Sequence, residues 1–246
     1  MTQIIENLLS VEEANSALNA LRPKGGEIQY GQYYALTNDH SLVRLPRLMA
    51  FQASVNSSGD LPWYRCTMSS VPQNKIVYIP WTSTVQKLKK LVEEIAGETW
   101  NLAHIIYYKD GEESMGMHSD TMLDLALGSK IAVVSLGSNR QLDLIKKQTS
   151  TSNGPSQIKL DLPGNSLFLL DEETNKHYVH GIKKQKKNQV EDRVAIVFRH
   201  VVTYKAENGK LYGNGSAYLT KQDMIQRYTK LKMFKCGFSS VVLLAH

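Results

Sequence analysis

His118 and Asp120, in the stretch GMHSDTMLD (116–124), put an imidazole and a carboxylate two residues apart. On extended backbone, residues two apart point to the same side, so both side chains can face one metal ion. An imidazole and a carboxylate are two members of a 2-His-1-carboxylate facial triad, which leaves positions open on non-haem Fe(II) for a co-substrate and oxygen. The third ligand must come from a later segment, and KHYVHG (176–181) offers both His177 and His180. Further on, RVAIVFR (193–199) carries Arg193 and Arg199 six residues apart, again on one strand face. Two guanidiniums buried on one face need an anionic partner, because an unpaired interior charge is costly. A small dicarboxylate suits them, since arginine forks grip carboxylates bidentately, and the same acid could chelate the iron. The other reading pairs these arginines with Glu191 or Asp192, or lets them reach solvent at a strand end.

The order His-x-Asp, a later His, then Arg-x5-Arg resembles that of the AlkB-like Fe(II)/2-oxoglutarate dioxygenases. YYKDG (107–111), GSKIAVVSLGSNRQLDL (128–144), LPGNSLFLLDEETNKHYVHGI (162–182) and RVAIVFR look like successive segments of that family. The similarity covers about 100–205, and RLPRLMAF (44–51) and LPWYRCTM (61–68) match the family's preceding substrate-side region. The resemblance implies His118, Asp120 and His180 as iron ligands. His180 directly precedes the Gly-Ile of the family's His-Gly-Ile pattern, whereas His177 falls where some relatives have a non-ligand His. It also implies that Tyr108 touches 2-oxoglutarate, that Arg193 grips its distal carboxylate and that Arg199 lies near its metal-bound end. Fe(II), 2-oxoglutarate and O2 are the implied cofactor and co-substrates. Their chemistry couples oxidative decarboxylation to succinate and CO2 with hydroxylation of a substrate C–H, and an N-methyl group so hydroxylated leaves as formaldehyde.

The expected substrate is an alkylated base in DNA or RNA. Such a base must be accepted unstacked and held by aromatics and cations. Trp63, Tyr64 and Arg65, with Arg44 and Arg47, are the candidates for stacking and phosphate contact; the other reading makes them an aromatic pair closing the core beside solvated arginines. KKQKK (183–187) could line a phosphate path, or form a solvated loop. The chain departs from the family pattern at Ile106 and Ala195, where Asn is frequent, and at Val197, where Thr is. Met122 stands where nucleic-acid repair members carry an acid near the target base, with Asp124 two residues further on. That departure keeps two alternatives open: the same chemistry on a small metabolite or protein side chain, and a non-catalytic nucleic-acid-binding module.

The elements that must position these residues are legible in outline. SVEEANSALNALR (10–22) begins with a Ser N-cap and acids in the first turn, and predicts a helix. TSTVQKLKKLVEEIAGETW (82–100) places Val85, Leu88, Leu91, Val92 and Ile95 at helical spacing, with Gly97 as the stop. Between them, YGQYYAL, RLMAFQAS and KIVYIP predict short strands, with SVNSSGD as a turn-rich tip. From 101 onward, β-branched and aromatic runs separated by Asp-Gly, Asn-Gly-Pro and Pro-Gly-Asn turns predict about a hundred residues of strands without a long helix. The expected fold is mainly β with flanking helices (α+β), and the resemblance makes its core a double-stranded β-helix, or jelly roll. KQDMIQRYTKLKMF (221–234) reads as a further helix.

Composition sets outer bounds. At 246 residues, 42% hydrophobic and 21% charged, the chain reads as one globular domain: a helical and substrate-side part (1–100), a catalytic core (101–205) and a C-terminal extension (206–246). No apolar run approaches the length of a membrane span, and the acidic start MTQIIENLL lacks the pattern of a signal peptide. Cys66 and Cys236 are too few for a disulfide framework, which suggests a reducing, intracellular setting, cytoplasmic or nuclear. The net charge of +6 suits a polyanionic partner, and the protein is expected to act as a monomer.

Overall fold

The structure, a computed structural model, describes residues 2–36, 41–65, 76–186 and 190–227. In chain order the elements are β1 (Gln3–Glu6), α1 (Val11–Leu21), β2 (Gly31–Leu36), β3 (Leu42–Ala53), β4 (Leu61–Pro62), β5 (Tyr78–Ile79) and α2 (Ser83–Ala96). They continue as β6 (Leu102–Tyr108), β7 (Met115–His118), β8 (Ile131–Gly137), β9 (Arg140–Lys146), β10 (Gln157–Leu162) and β11 (Ser166–Leu170). The last are α3 (Glu172–His177), β12 (Tyr178–Ile182), β13 (Arg193–Arg199), β14 (Thr203–Lys205) and β15 (Leu211–Gly213).

Eight strands form the larger sheet, in the order β1-β11-β8-β13-β6-β3-β2 with β5 pairing β3. A second sheet has the order β10-β9-β12-β7, and a third joins β15, β14 and β4. Strand period explains how the first two sheets meet. Along β13, Val194, Ile196 and Phe198 pack with α1 and α2 on the outer face of the large sheet. Ala195 and Val197 point the other way, into a cluster with Leu142 of β9, Leu162 of β10 and Ile182 of β12. The two sheets therefore close over a shared interior, which is the jelly roll. All seven residues of β13 are buried, and between its two terminal arginines the strand is a continuous apolar run rather than an alternating one.

The two helices expected in the first hundred residues form. Ser10 caps α1 in a capping box with Glu13, and Gly97 ends α2 in the left-handed conformation at φ 67°. Val85, Leu88 and Val92 turn inward from α2, while Ile95 is exposed. The strands expected between these helices also form, and β3 pairs β6. No strand is predicted at 3–6, where β1 pairs β11, so the first hundred residues complete the large sheet. Nor is the short helix α3, six residues long, predicted before β12. The helix read at 221–234 is present over 221–227, where Met224 packs on Tyr212 and Lys221 pairs Asp60; the rest lies outside the described residues. Among the described residues no helix is long and apolar enough to cross a membrane.

Candidate active site

β7 and β12 are antiparallel neighbours in which His118 stands opposite His180, so both imidazoles emerge on one face with centroids 4.4 Å apart. Asp120 follows just beyond the end of β7, and one potential ligand atom from each of the three lies within 4.8 Å of the others. The His118 Nδ1 lies 2.9 Å from the Gly116 carbonyl, which can only accept, so Nδ1 donates there and Nε2 is the nitrogen available to a metal. Burial, with His118 and Arg199 nearby, outweighs the pull of Asp120 and holds His180 down to about 4, keeping it neutral as a ligand must be. For Asp120, burial alone would raise the carboxyl, but Arg199 and the two histidines hold it well below the usual carboxylate range. Two imidazoles and one ionised carboxylate are the donor set that suits iron(II).

The carboxylate is held from three sides. Arg199 Nη2 pairs with Asp120 Oδ1 at 2.5 Å, and the Tyr64 hydroxyl donates to the same oxygen at 3.0 Å. Oδ2 is left on the His180 side, 3.6 Å from Nε2. Asn175, carried by α3, accepts from the Asp120 N–H at 2.9 Å and donates to its carbonyl at 2.8 Å. The Arg199 guanidinium also covers the Tyr64 ring at 4.7 Å.

These groups open onto a cavity of about 370 Å³ between the two sheets. Arg193 stands opposite Tyr108 in the β13–β6 register and lies over its ring at 5.4 Å. The Arg193 Nη2 donates to Ser135 Oγ at 2.8 Å, but its buried Nε and Nη1 have no hydrogen-bond partner in the structure. Burial holds this guanidinium down to about 10, with Arg140 opposing and Tyr108 supporting its charge. A buried fork with orphaned donors beside a phenol, in a cavity shared with the His-Asp-His cluster, fits a dicarboxylate such as 2-oxoglutarate. Of the alternative partners, Asp192 is taken by Arg22 in a bidentate pair. Ile106, Ala195 and Val197 line the cavity as an apolar wall.

The substrate-side candidates separate into groups. Arg47 is buried and lines the cavity, donating to the Ser114 carbonyl at 2.8 Å. Tyr64 is bonded to Asp120 as described, so it supports the carboxylate rather than offering a stacking face. Trp63 lies outside the cavity lining, with Lys205 Nζ 4.7 Å over its ring. Arg44 is exposed, bonded to Gln32, and borders a separate shallow hollow with Lys184. Asp124 also falls outside the lining: it is wholly buried in a 2.5 Å ion pair with Arg65, which ties 65 to 124. Met122 is partly buried against the inter-sheet cluster. In KKQKK, Lys183 pairs with the buried Asp143, and Lys187 lies outside the described residues, as do His40, His246 and both cysteines.

Sequence reasoning missed Asn175, Ser135, Arg140 and His104. Asp171, followed by two glutamates, is an N-cap signal that could have found α3 and with it Asn175. Arg140 is buried 5.5 Å from the Tyr108 ring and donates to the carbonyls of Glu113 and Lys183. His104 is buried in the cavity wall and stacks on Phe51, with centroids 4.5 Å apart.

The family model described as the 2OG-Fe(II) oxygenase superfamily matches residues 1–199. The chain is 33% identical over 127 residues to the DNA oxidative demethylase ALKBH2 of Bos taurus, an alignment covering 50% of this chain and 45% of that protein. It is 28% identical over 160 residues to the alpha-ketoglutarate-dependent dioxygenase alkB homolog 3 of Rattus norvegicus, covering 63% of this chain and 50% of that one. The chain thus spans about half the length of these curated relatives. A solved structure titled "The structure of OsALKBH1" superposes with a TM-score of 0.53 over 81% of this chain and 97% of that chain, at 13% identity, which shows a shared fold.

Proposed function

Because this chain belongs to the 2OG-Fe(II) oxygenase superfamily, with AlkB-like relatives, we propose that it is an oxidative demethylase of alkylated bases in DNA or RNA. The observation that carries the reading is one cavity holding both the His118–Asp120–His180 cluster and the orphaned guanidinium of Arg193. Bound iron and 2-oxoglutarate supply, with O2, the oxidative decarboxylation to succinate and CO2 that hydroxylates an N-methyl group and releases it as formaldehyde. His118, Asp120 and His180 hold the metal. Arg193 and Tyr108 hold the distal carboxylate of 2-oxoglutarate, while Ser135 fixes the guanidinium from behind. Arg199 acts on the metal side, keeping Asp120 ionised and turned so that Oδ2 faces the histidines. Leu142, Leu162, Phe168 and Ile182 keep water from the reacting space. Arg47, at the cavity wall, is the substrate-side cation. The +6 charge supports a nucleic-acid partner for a single-unit, monomeric, intracellular protein.

A second reading, a small methylated metabolite or a side chain, is favoured by Trp63 and Tyr64, neither of which offers a stacking platform to the cavity. Formaldehyde and succinate formation from methylated DNA and RNA oligonucleotides, set beside a panel of N-methylated metabolites, tests the two. Turnover of metabolites alone overturns the nucleic-acid reading. Absence of iron binding under anaerobic conditions overturns both.

A further inference from the structure

His104 is a polar group in the cavity wall that neither the metal nor the co-substrate accounts for. It is only 4% exposed, and its buried Nε2 has no hydrogen-bond partner. An imidazole nitrogen buried without a partner is destabilising, and a group bound beside it relieves that cost. Burial, with Arg199 and Arg47 nearby, holds the ring well below the usual imidazole range, so it is neutral and offers one donor and one acceptor nitrogen. Stacking on Phe51 fixes its plane.

Its position says what the ligand is. His104, Ile106 and Tyr108 alternate along the inner face of β6, opposite Val197, Ala195 and Arg193 of β13. The co-substrate belongs at the Tyr108–Arg193 end. His104 lies four residues away, about 13 Å along the strand at ~3.3 Å per residue. There it is close to Arg47, Arg199 and Asp120, whose charges act on it. The co-substrate accounts for the Tyr108–Arg193 end of the cavity, and the wall beside His104, at the Arg47 side, is left for the molecule being oxidised. Met122, at the position expected to read the base, lies outside the cavity lining.

We propose that His104 is a specificity-determining residue whose Nε2 hydrogen-bonds the polar edge of an N-alkylated heterocycle bound beside the metal. The inference rests on the demethylase reading and names what reads the substrate. An uncharged imidazole selects a ring edge bearing an amino or carbonyl group, and discriminates against an isostere lacking it, because the nitrogen would then remain unsatisfied.

The test compares wild type, His104→Leu and His104→Gln on one panel: methylated oligonucleotides, the matching nucleosides, and N-methyl heterocycles with and without a ring amino or carbonyl group. Expected is a loss of about tenfold or more in kcat/KM in His104→Leu for members bearing the polar edge. Partial rescue by His104→Gln, which restores a polar atom near Nε2, is expected as well, as is a change in the apparent KM for 2-oxoglutarate of less than about twofold, the limit set for a site apart from Arg193. Equal losses on members with and without the polar edge, or a parallel rise in the 2-oxoglutarate KM, would show a structural role and overturn the proposal. Substrate-stimulated succinate formation that His104→Leu leaves unchanged overturns this inference alone. No stimulation of wild type by any member of the panel overturns it together with the demethylase reading.

Discussion

A carboxylate that accepts hydrogen bonds from a guanidinium and a phenol on one oxygen cannot turn freely, and at Asp120 this fixes which oxygen faces the histidines. Removing His118 or Asp120 by substitution with Ala is therefore expected to abolish iron-dependent succinate formation, and wild-type-like turnover in either variant would sink the metal assignment. Tyr64→Phe leaves all three ligands and removes one donor to Oδ1. The expected result is weaker iron affinity, by about tenfold at most, read by metal titration under anaerobic conditions. Arg193→Ala is expected to raise the 2-oxoglutarate requirement roughly ten- to a hundredfold, the worth of a charge-assisted hydrogen bond or two, while the fold survives. An unchanged requirement would mean that the carboxylate is held elsewhere. The ligand types and their order were legible because they are properties of single residues and local spacing. That Tyr64 supports Asp120 was not, since 56 positions separate them and only the fold brings them together.

At the scale of the element, the short helix α3 does more than connect strands. Asp171 caps it by accepting from the Thr174 N–H at 2.8 Å and is bonded by Thr2 at 2.7 Å, while the helix presents Asn175 to Asp120. Asp171→Ala is expected to destabilise the protein by about 1 kcal/mol, a typical N-cap loss, and to lower iron affinity through Asn175. A variant with reduced melting temperature but unaltered iron affinity would separate α3 from the site. Six residues are too few for helical periodicity to show, which is why the sequence left this stretch between two strands with no helix predicted. The strands β6, β8 and β13 were legible as strands for the opposite reason, being long and rich in β-branched residues. Which of their faces meets the metal was not legible, because helices bury one face and the second sheet buries the other.

The whole molecule carries its buried histidines as a pH liability. His104 and His180 are both held below the ordinary imidazole value of about 6.5. Below about pH 6.5 the unfolded chain therefore binds protons that the folded state refuses, and stability rises with pH in that window. The metal-free protein is expected to lose melting temperature steadily from pH 7 to 5, and His104→Leu to flatten that dependence. A slope unaltered by the substitution would mean that the His104 ring charges without penalty in the fold.

By itself the sequence determined the candidate donor set, a His-x-Asp pair, a later His and two arginines on one strand, and the family resemblance those residues carry named the oxidant expected there. It also determined the class of fold, since strand and helix signals are likewise local. Tertiary structure alone decided which candidates face the cavity. It turned Asp124 to Arg65, Trp63 to Lys205 and Tyr64 to Asp120, and it set His104 in the wall. The physical reason is that a side chain's partner is chosen by the packing of segments far apart in the chain, which no local pattern records.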